Sequence, residues 1–348
     1  MGDEKRAYTK LEPGYYEDEL TYKYVDGFSR GTYNLDKPQQ GINPAISVYA
    51  NNLPSGWELA MLSCWDYGAR VGTHYDPKDD TPKSKEATIS IKISDPFNEP
   101  RISLPGFPAG PAELEVYRQE VVHGIHNHWI KPGTSKWTYT YNERLTDYNP
   151  SKGLHLPNRG VLLEKGVNQI DGVIDDLERD ITSKGAQVTT WMPTADPGLE
   201  GSRPCLQRLW FRPLQIDKAD ESKGYFLNLN SHWRSRDLAK AWFMNSYAIT
   251  DWNKNIAERL QDRMGIPIKV GSYTDISDSL HIYGAYFNET KAEFEKMRNE
   301  PIKGNEEKGM RSRVWTSDYP AFVMMTEEAK VNLAKDPDYY AKGDLAKK

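Results

Sequence analysis

The chain has 348 residues and a formal net charge of −5, a length that allows one large domain or two. No linker separates its sequence motifs, which favours one. The acidic balance argues against a nucleic-acid-binding protein that works through a broad basic surface, so a small molecule is the expected partner. No apolar run is long enough to span a bilayer, and the charged start, Met1-Gly2-Asp3-Glu4, is unlike a secretory signal. We therefore expect a cytoplasmic protein. Its two distant cysteines suit reduced thiols better than a disulfide scaffold.

In the first third of the chain, the pattern of apolar residues predicts the secondary structure. Residues 1–44 are polar, rich in tyrosine and irregular, and we expect a surface extension. Residues 46–50 alternate as in a strand, and residues 56–67 carry apolar side chains at helical spacing, which places Cys64 in the core of a helix. The clean alternation over residues 87–93 predicts a further strand.

Residues 113–124 predict a helix with one apolar stripe, formed by Leu114, Tyr117 and Val121. Glu120 lies on this helix, where a glutamate is usually part of the solvated face. Three histidines follow at positions 123, 126 and 128. We expect no metal site there, because no carboxylate or cysteine partner stands at a recognisable ligand spacing.

Aromatic residues dominate Trp137-Thr138-Tyr139-Thr140-Tyr141. They suit either stacking on a flat ring or a core strand. The segment from Asn168 to Leu177 predicts an amphipathic helix, and Ser183-Lys184-Gly185 follows it.

The second cysteine has a distinctive setting, Ser202-Arg203-Pro204-Cys205-Leu206-Gln207-Arg208. Neighbouring arginines favour the thiolate, the form of cysteine that attacks electrophiles. A small buried hydrophobic residue is the alternative interpretation of Cys205 taken alone.

The downstream segments decide between these readings: Arg234-Ser235-Arg236-Asp237, Asn245 and His281-Ile282-Tyr283. With Pro204-Cys205 they resemble, in order and separation, the motifs of the thymidylate synthase superfamily. The variant Pro-Cys-Leu-Gln resembles the branch found in archaea, some bacteria and phage nucleotide hydroxymethylases. The resemblance extends from about Ala45 to Phe287.

The resemblance implies an α/β (α+β) fold: a bent mixed β-sheet with helices on one face, packed back to back with the sheet of a second subunit in a homodimer. The domain organisation that we expect is an N-terminal extension over residues 1–44, a catalytic domain over residues 45–287 and a helical or irregular segment over residues 288–348.

The implied reaction transfers a one-carbon unit from 5,10-methylenetetrahydrofolate to C5 of a pyrimidine nucleoside monophosphate. By the resemblance, the catalytic residues are Cys205, Glu120 and Asn245. The nucleotide-binding residues are Arg70, Lys184, Arg234, Ser235, Asn245, His281 and Tyr283. The folate-binding residues are Asp237 and Trp137. Asp237 is also suited to stabilise the N-terminus of a helix predicted over residues 238–250.

One segment departs from the family pattern. Where relatives carry Ser-Arg-Arg and bind phosphate across the dimer interface, this chain has Ser183-Lys184-Gly185, which replaces two guanidinium forks with one point charge. Arg203 and Arg208 are candidate substitutes.

Three functions stay open at this point. Asn245 suits uracil, whereas an aspartate would favour cytosine, so dUMP is the expected substrate, with either a methyl or a hydroxymethyl product. The polar C-terminus, residues 339–348, leaves the hydroxymethylase open, because an apolar tail helps to exclude water. A cytidine nucleotide is the second possibility, and a binding protein without turnover is the third.

Overall fold

A computed structural model describes residues 24–25, 30–35, 41–73, 83–130, 137–149, 165–193, 195–197, 203–300, 302 and 308–339. The strands, in chain order, are β1 (Tyr24–Val25), β2 (Arg30–Leu35), β3 (Ala45–Ala50), β4 (Ala69–Val71), β5 (Ser84–Ile93), β6 (Ile102–Ser103), β7 (Gln187–Thr189), β8 (Leu206–Gln215), β9 (Tyr225–Trp233), β10 (Arg236–Asp237), β11 (Ile268–Ile282) and β12 (Val314–Trp315). The α-helices are α1 (Leu53–Tyr67), α2 (Pro111–His123), α3 (Tyr141–Thr146), α4 (Gln169–Arg179), α5 (Trp242–Met264), α6 (Phe287–Asn299) and α7 (Pro320–Lys335).

These elements form two compact units. Unit 1 contains Met1–Pro108, Ser235–Phe243 and Thr274–Phe322, and unit 2 contains Ala109–Arg234, Met244–Tyr273 and Val323–Lys348. The mixed α/β class that was expected is confirmed.

Unit 1 is built on a mixed set of strands. β3 pairs parallel with β5, so that Ile46 lies opposite Ile89, and β2 pairs antiparallel with β3. The strands predicted over residues 46–50 and 87–93 are therefore confirmed. Residues 30–35 differ from the irregular extension that was predicted, because β2 pairs along the length of β3.

Helix α1 of unit 1 is capped and closely packed. The Asn52 side chain accepts a hydrogen bond from the backbone N–H of Ser55 at 3.0 Å, which satisfies one of the free donors at the helix start. A Cβ at Gly56 would lie 2.3 Å from Ile93 Cδ1, so glycine allows this close approach to β5 without displacing the Ile93 side chain. Cys64 is fully buried, as the helical pattern predicted.

Unit 2 contains the antiparallel strands β7, β8 and β9. Leu209 and Phe211 of β8 and Leu229 of β9 are fully buried, which reflects the alternation of apolar residues along these strands. Helix α2 is joined to the long helix α5 by a hydrogen bond of 2.8 Å from Trp252 Nε1 to the carbonyl of Val121. The helices predicted over residues 113–124 and after Asn168 are confirmed.

The start of helix α5 differs from the prediction. The helix expected from residue 238 begins at Trp242, because a turn separates it from Asp237. In the described part of the chain, no helix combines the length and the apolar character that a membrane crossing requires.

Candidate functional site

Cys205 lies immediately before β8, at an irregularity of the sheet. The register of β8 against β9 shifts between Leu206 and Arg208, which is the signature of a β-bulge. The thiol is half-buried, whereas Cys64 is buried completely and burial raises the pKa of its thiol to about 12. Cys205 is therefore the cysteine that a ligand can reach, and the alternative of a small buried core residue does not describe it.

Arg234 holds the segment that carries this thiol. Its Nε donates to the carbonyl oxygen of Pro204 at 2.9 Å, and its Nη2 donates to the carbonyl oxygen of Arg203 at 3.0 Å. Its backbone N–H donates to the carbonyl oxygen of Cys205 at 2.9 Å. Sequence reasoning assigned Arg234 to a phosphate and missed this second task, because contacts with backbone carbonyls leave no trace in residue type.

Two tyrosines complete the surroundings of Cys205. Tyr139 Oη donates to the carbonyl oxygen of Arg203 at 3.2 Å, and the rings of Tyr139 and Tyr141 are 5.7 Å apart. Burial above all, and then the nearby Cys205, raise the pKa of Tyr139. Burial, Tyr139 and Cys205 raise the pKa of Tyr141. Both phenols therefore stay protonated at neutral pH.

The core-strand alternative for this aromatic segment is wrong. Residues 137–140 have no regular secondary structure, and Tyr141 begins helix α3. The Thr140 side chain caps that helix by accepting a hydrogen bond from the N–H of Glu143 at 3.0 Å. Tyr139 contacts Arg203 through its hydroxyl group, and the ring of Tyr141 contacts that of Trp233.

Asn245 is buried on helix α5 and bonded to helix α2. Its Nδ2 donates to the hydroxyl oxygen of Tyr117. Tyr117 was predicted only as part of the apolar stripe of α2, and its position next to Asn245 is a finding of the structure. The Tyr117 phenol is also among the groups that raise the pKa of Tyr141, after burial, Tyr139 and Cys205. Tyrosines therefore connect the surroundings of Cys205 with Asn245.

Glu120 lies on α2 as predicted, but it does not belong to a solvated face. Its side chain is 11% exposed, and Oε2 is 2.9 Å from Nδ1 of the fully buried His126. The three histidines at positions 123, 126 and 128 differ in exposure and in side-chain partners. His123 is exposed, and His128 Nε2 is 2.7 Å from Oδ1 of Asp338. Within the described ranges, no group of three or more His, Cys, Asp or Glu residues is arranged to hold a metal ion.

Trp137, a predicted folate contact, is half-buried with a φ of 32°, the left-handed region that non-glycine residues rarely occupy. Its ring centroid is 5.2 Å from that of Trp129 and 6.4 Å from that of His126. It thus belongs to the aromatic surroundings of the Glu120–His126 pair.

The remaining predicted residue of unit 2, Lys184, is exposed. The loop around it is fastened to β8 because Trp210 Nε1 donates to the Lys184 carbonyl at 2.9 Å, and Arg212 Nη1 donates to the Ser183 carbonyl at 3.2 Å. A phosphate role for Lys184 stays a prediction.

In unit 1, three predicted residues are neighbours. β10 pairs parallel with β11, and Asp237 lies opposite His281. His281 is buried, burial lowers its pKa, and its ring is 4.5 Å from that of Tyr283. The neutral imidazole is the form in which one ring nitrogen donates and the other accepts.

Asp237 also shapes the local backbone. Its Oδ1 accepts hydrogen bonds from the N–H groups of Ala239 at 2.9 Å and Lys240 at 3.0 Å, so the carboxylate caps the turn that precedes α5. Burial raises its pKa to about 6 against the opposing effect of these bonds.

Ser235 is half-buried, and Arg70 is exposed on β4, so neither position tests its predicted nucleotide contact.

The geometry defines a class of protein: an α/β protein with a half-buried thiol just before a strand, in a segment whose carbonyl groups accept hydrogen bonds from Arg234 and Tyr139. No protein-family profile matches the chain. The chain is 28% identical over 196 residues to a protein of Methanosarcina barkeri named "Putative thymidylate synthase", covering 56% of this chain and 71% of that one. Proteins of the same name from Methanosarcina mazei and Methanothermobacter thermautotrophicus are each 24% identical, over 237 and 256 residues, which cover 68% and 71% of this chain and 88% and 97% of theirs.

A solved structure, thermostable thymidylate synthase A from Bacillus subtilis, aligns at a TM-score of 0.46 and 15% identity, over 70% of this chain and 84% of that one. These named sequence relatives confirm the resemblance seen in the motifs. The chain is therefore similar, over 68% and 71% of its length, to proteins named as thymidylate synthases. Its assignment to the Pro-Cys-Leu-Gln branch stays a prediction.

Proposed function

We propose that this chain transfers a one-carbon unit from 5,10-methylenetetrahydrofolate to C5 of a pyrimidine nucleoside monophosphate, with dUMP as the favoured substrate. The observation that carries the proposal is the setting of Cys205. Its thiol is half-buried, its flanking carbonyls accept hydrogen bonds from Arg234 and Tyr139, and it shares unit 2 with Asn245 and Glu120. Binding alone would not require a nucleophile fixed in this way.

Cys205 is the nucleophile of the proposed reaction. Its thiolate forms a bond to C6 of the pyrimidine, and the electron pair of the C5–C6 double bond moves towards O4 as an enolate, which makes C5 nucleophilic. The folate supplies the electrophilic methylene carbon. C5 forms a bond to that carbon, and loss of the C5 proton expels the folate nitrogen and leaves an exocyclic methylene intermediate on the pyrimidine. This intermediate accepts either a hydride from the folate or a water molecule, and cleavage of the sulfur–C6 bond then releases the enzyme. Arg234 fixes the backbone on both sides of Pro204, so the thiol approaches C6 from one direction.

Asn245 reads the base. A side-chain amide offers two N–H donors and one acceptor oxygen, and the described bond to Tyr117 uses one donor. Such an amide can donate to O4 of uracil and accept from its N3–H. Tyr117 fixes the orientation of the amide, which favours uracil over cytosine by leaving the wrong base with unpaired polar groups.

Glu120 handles protons in this scheme, because its buried carboxyl group is suited to a general acid or base. The nucleotide contacts proposed for Arg70, Lys184, Ser235, His281 and Tyr283 follow the family motifs. Arg234 can serve a phosphate as well as the backbone, because a guanidinium has five N–H donors and the two side-chain bonds described use only two.

The residues proposed for the folate have suitable chemistry. Asp237 has a carboxyl group that can accept hydrogen bonds from the N–H groups of a pterin, and Trp137 has an apolar ring face of matching size. We also propose a homodimer. Leu214 and Phe226 lie opposite each other on β8 and β9 and are 52% and 41% exposed, an apolar pair that suits contact with a second copy.

Whether the product is methylated or hydroxymethylated depends on the access of water to the intermediate. The C-terminal residues on which that prediction was based, 340–348, lie outside the described ranges. A cytidine nucleotide is the second candidate substrate. The non-catalytic alternative is disfavoured by the held thiol of Cys205.

The experiment that tests the proposal is mass spectrometry of products after incubation with methylenetetrahydrofolate and an equimolar mixture of dUMP, dCMP, UMP and CMP. Tritium release from the C5-labelled nucleotides is followed in parallel. Methylated or hydroxymethylated dUMP supports the proposal and names the product. Modification of dCMP alone contradicts the base assignment, and the absence of any tritium release contradicts the enzymatic function.

A further inference from the structure

We propose that His126 is a positioning residue for Glu120: its Nδ1 hydrogen bond orients the carboxyl group that handles protons at the pyrimidine. This inference rests on the proposed function and concerns a histidine to which the sequence motifs assign no role.

The contact is short and shielded from water. His126 Nδ1 is 2.9 Å from Glu120 Oε2, and the two side chains are 0% and 11% exposed. An isolated buried carboxylate is strongly unfavourable, so a hydrogen-bonding partner at this distance is a main determinant of its orientation. A histidine that donates from Nδ1 also fixes which ring nitrogen carries the proton.

The imidazole itself has little freedom. Its ring stacks on that of Trp129 with centroids 3.6 Å apart and planes at 7°. The backbone N–H of Trp129 donates to the carbonyl oxygen of His126 at 2.9 Å, which closes a tight turn. Rotation of the imidazole would break the stacking and the bond to Glu120 together, so the pair behaves as one rigid group.

Glu120 is connected to the other proposed catalytic residues through helix α2. Tyr117 precedes it by three residues, a separation that places two side chains on one helix face. The hydroxyl of Tyr117 accepts the hydrogen bond from Asn245. The carboxyl group thus shares a helix face with the residue that contacts the base-reading amide.

The residue next to the nucleophile cannot perform the task of His126. Leu206 follows Cys205, is fully buried and has no polar side-chain atom. His126, in contrast, makes a side-chain contact of 2.9 Å with Glu120.

Two amide substitutions test the proposal, because they differ in the position of the donor and not in polarity. His126→Asn retains an N–H close to the position of Nδ1, whereas His126→Gln moves it towards the position of Nε2. We expect the Asn variant to keep kcat for tritium release within about fivefold, and the Gln variant to lose about 10- to 100-fold, a fraction of what general acid–base catalysis contributes. Nucleotide Kd should change less than about twofold in both. His128→Asn, at the exposed histidine bonded to Asp338, is the control.

A double-variant cycle separates positioning from a general loss of structure. If His126 acts through Glu120, adding His126→Gln to Glu120→Gln should lower kcat no further than Glu120→Gln alone. Equal kcat for the Asn and Gln variants, or additive losses in the cycle, would overturn the inference. ¹⁵N NMR of the ring of His126, which is fully buried, provides a test in the wild-type protein that needs no variant. A ring that carries a proton on Nε2 and none on Nδ1 would contradict the inference. Inactivity of the wild type would contradict the proposed function instead.

Discussion

Arg234 Nε and the carbonyl oxygen of Pro204 are joined by a hydrogen bond of 2.9 Å, which links the start of the Arg-Ser-x-Asp motif to the residue before the nucleophile. The backbone N–H of Arg234 also donates to the carbonyl oxygen of Cys205 at 2.9 Å. Two motifs about thirty residues apart in sequence therefore form one structural group. A side chain that holds the nucleophile and retains donors for a phosphate can align thiol and nucleotide together.

The first prediction concerns this contact. Arg234→Lys keeps the positive charge but loses the planar fork that spans two carbonyls. We expect at least a 100-fold loss of tritium release, since a small misplacement of a reacting atom has effects of that size. We also expect a loss of about 1–3 kcal/mol in the free energy of unfolding, measured by urea denaturation. Arg263→Ala removes two exposed ion pairs, with Asp175 and with Glu178, and should leave both quantities unchanged. Full activity of Arg234→Lys would refute the holding role.

The second prediction distinguishes the two cysteines. At pH 8, iodoacetamide should modify Cys205 and leave Cys64 unmodified in the folded protein, because Cys64 is fully buried and its pKa is raised to about 12. Peptide mass spectrometry reads the sites directly. Cys205→Ser should abolish tritium release and largely retain nucleotide binding, while Cys64→Ala should keep turnover. Retained turnover in Cys205→Ser would exclude this residue as the nucleophile.

The third prediction concerns base choice. Asn245→Asp should shift the ratio of kcat/KM for dUMP to that for dCMP by about 100-fold towards dCMP, because a carboxyl group no longer matches the polar edge of uracil. Tyr117→Phe should weaken the discrimination without reversing it, since the amide loses the partner that orients it. An unchanged preference in Asn245→Asp would show that another residue reads the base.

The fourth prediction is a pH dependence of stability. Burial raises the pKa of Asp237 from an ordinary value of 3.8 to about 6. Between these values the folded state binds more protons than the unfolded state, so stability should fall as pH rises through about 4 to 6. Asp237→Asn should remove that fall, up to about 3 kcal/mol, in urea titrations across this interval.

Asp217 provides the matched control, because its Oδ1 also accepts a backbone N–H, that of Ala219, at 2.9 Å. Hydrogen bonds from Lys223 and Ala219 lower the pKa of Asp217. The contribution of Asp217 to stability is therefore present at higher pH and is lost as the pH falls below the ordinary pKa of an aspartate. Asp217→Asn should leave the slope between pH 4 and 6 intact. A wild-type protein without that slope would contradict the assignment to Asp237.

The α/β class could be predicted from the sequence, as could the strands β3 and β5, the helices α1 and α2, and the resemblance to the thymidylate synthase superfamily. Apolar periodicity and ordered motifs are local properties of the chain. Cys205 could also be selected from the sequence, because the residues next to it and the downstream motifs together resemble those of the superfamily. The sequence could not separate ring-stacking tyrosines from a core strand over residues 137–141, since both need the same residue types.

The pairings between distant residues could be identified only in the folded chain: Arg234 with Pro204, Asn245 with Tyr117, and Glu120 with His126. Each pairing joins atoms from different elements or turns. The sequence contains many other residues that could make the same kind of hydrogen bond. The pair chosen depends on how helices and strands pack, which is set by the sum of many contacts and not by any single motif.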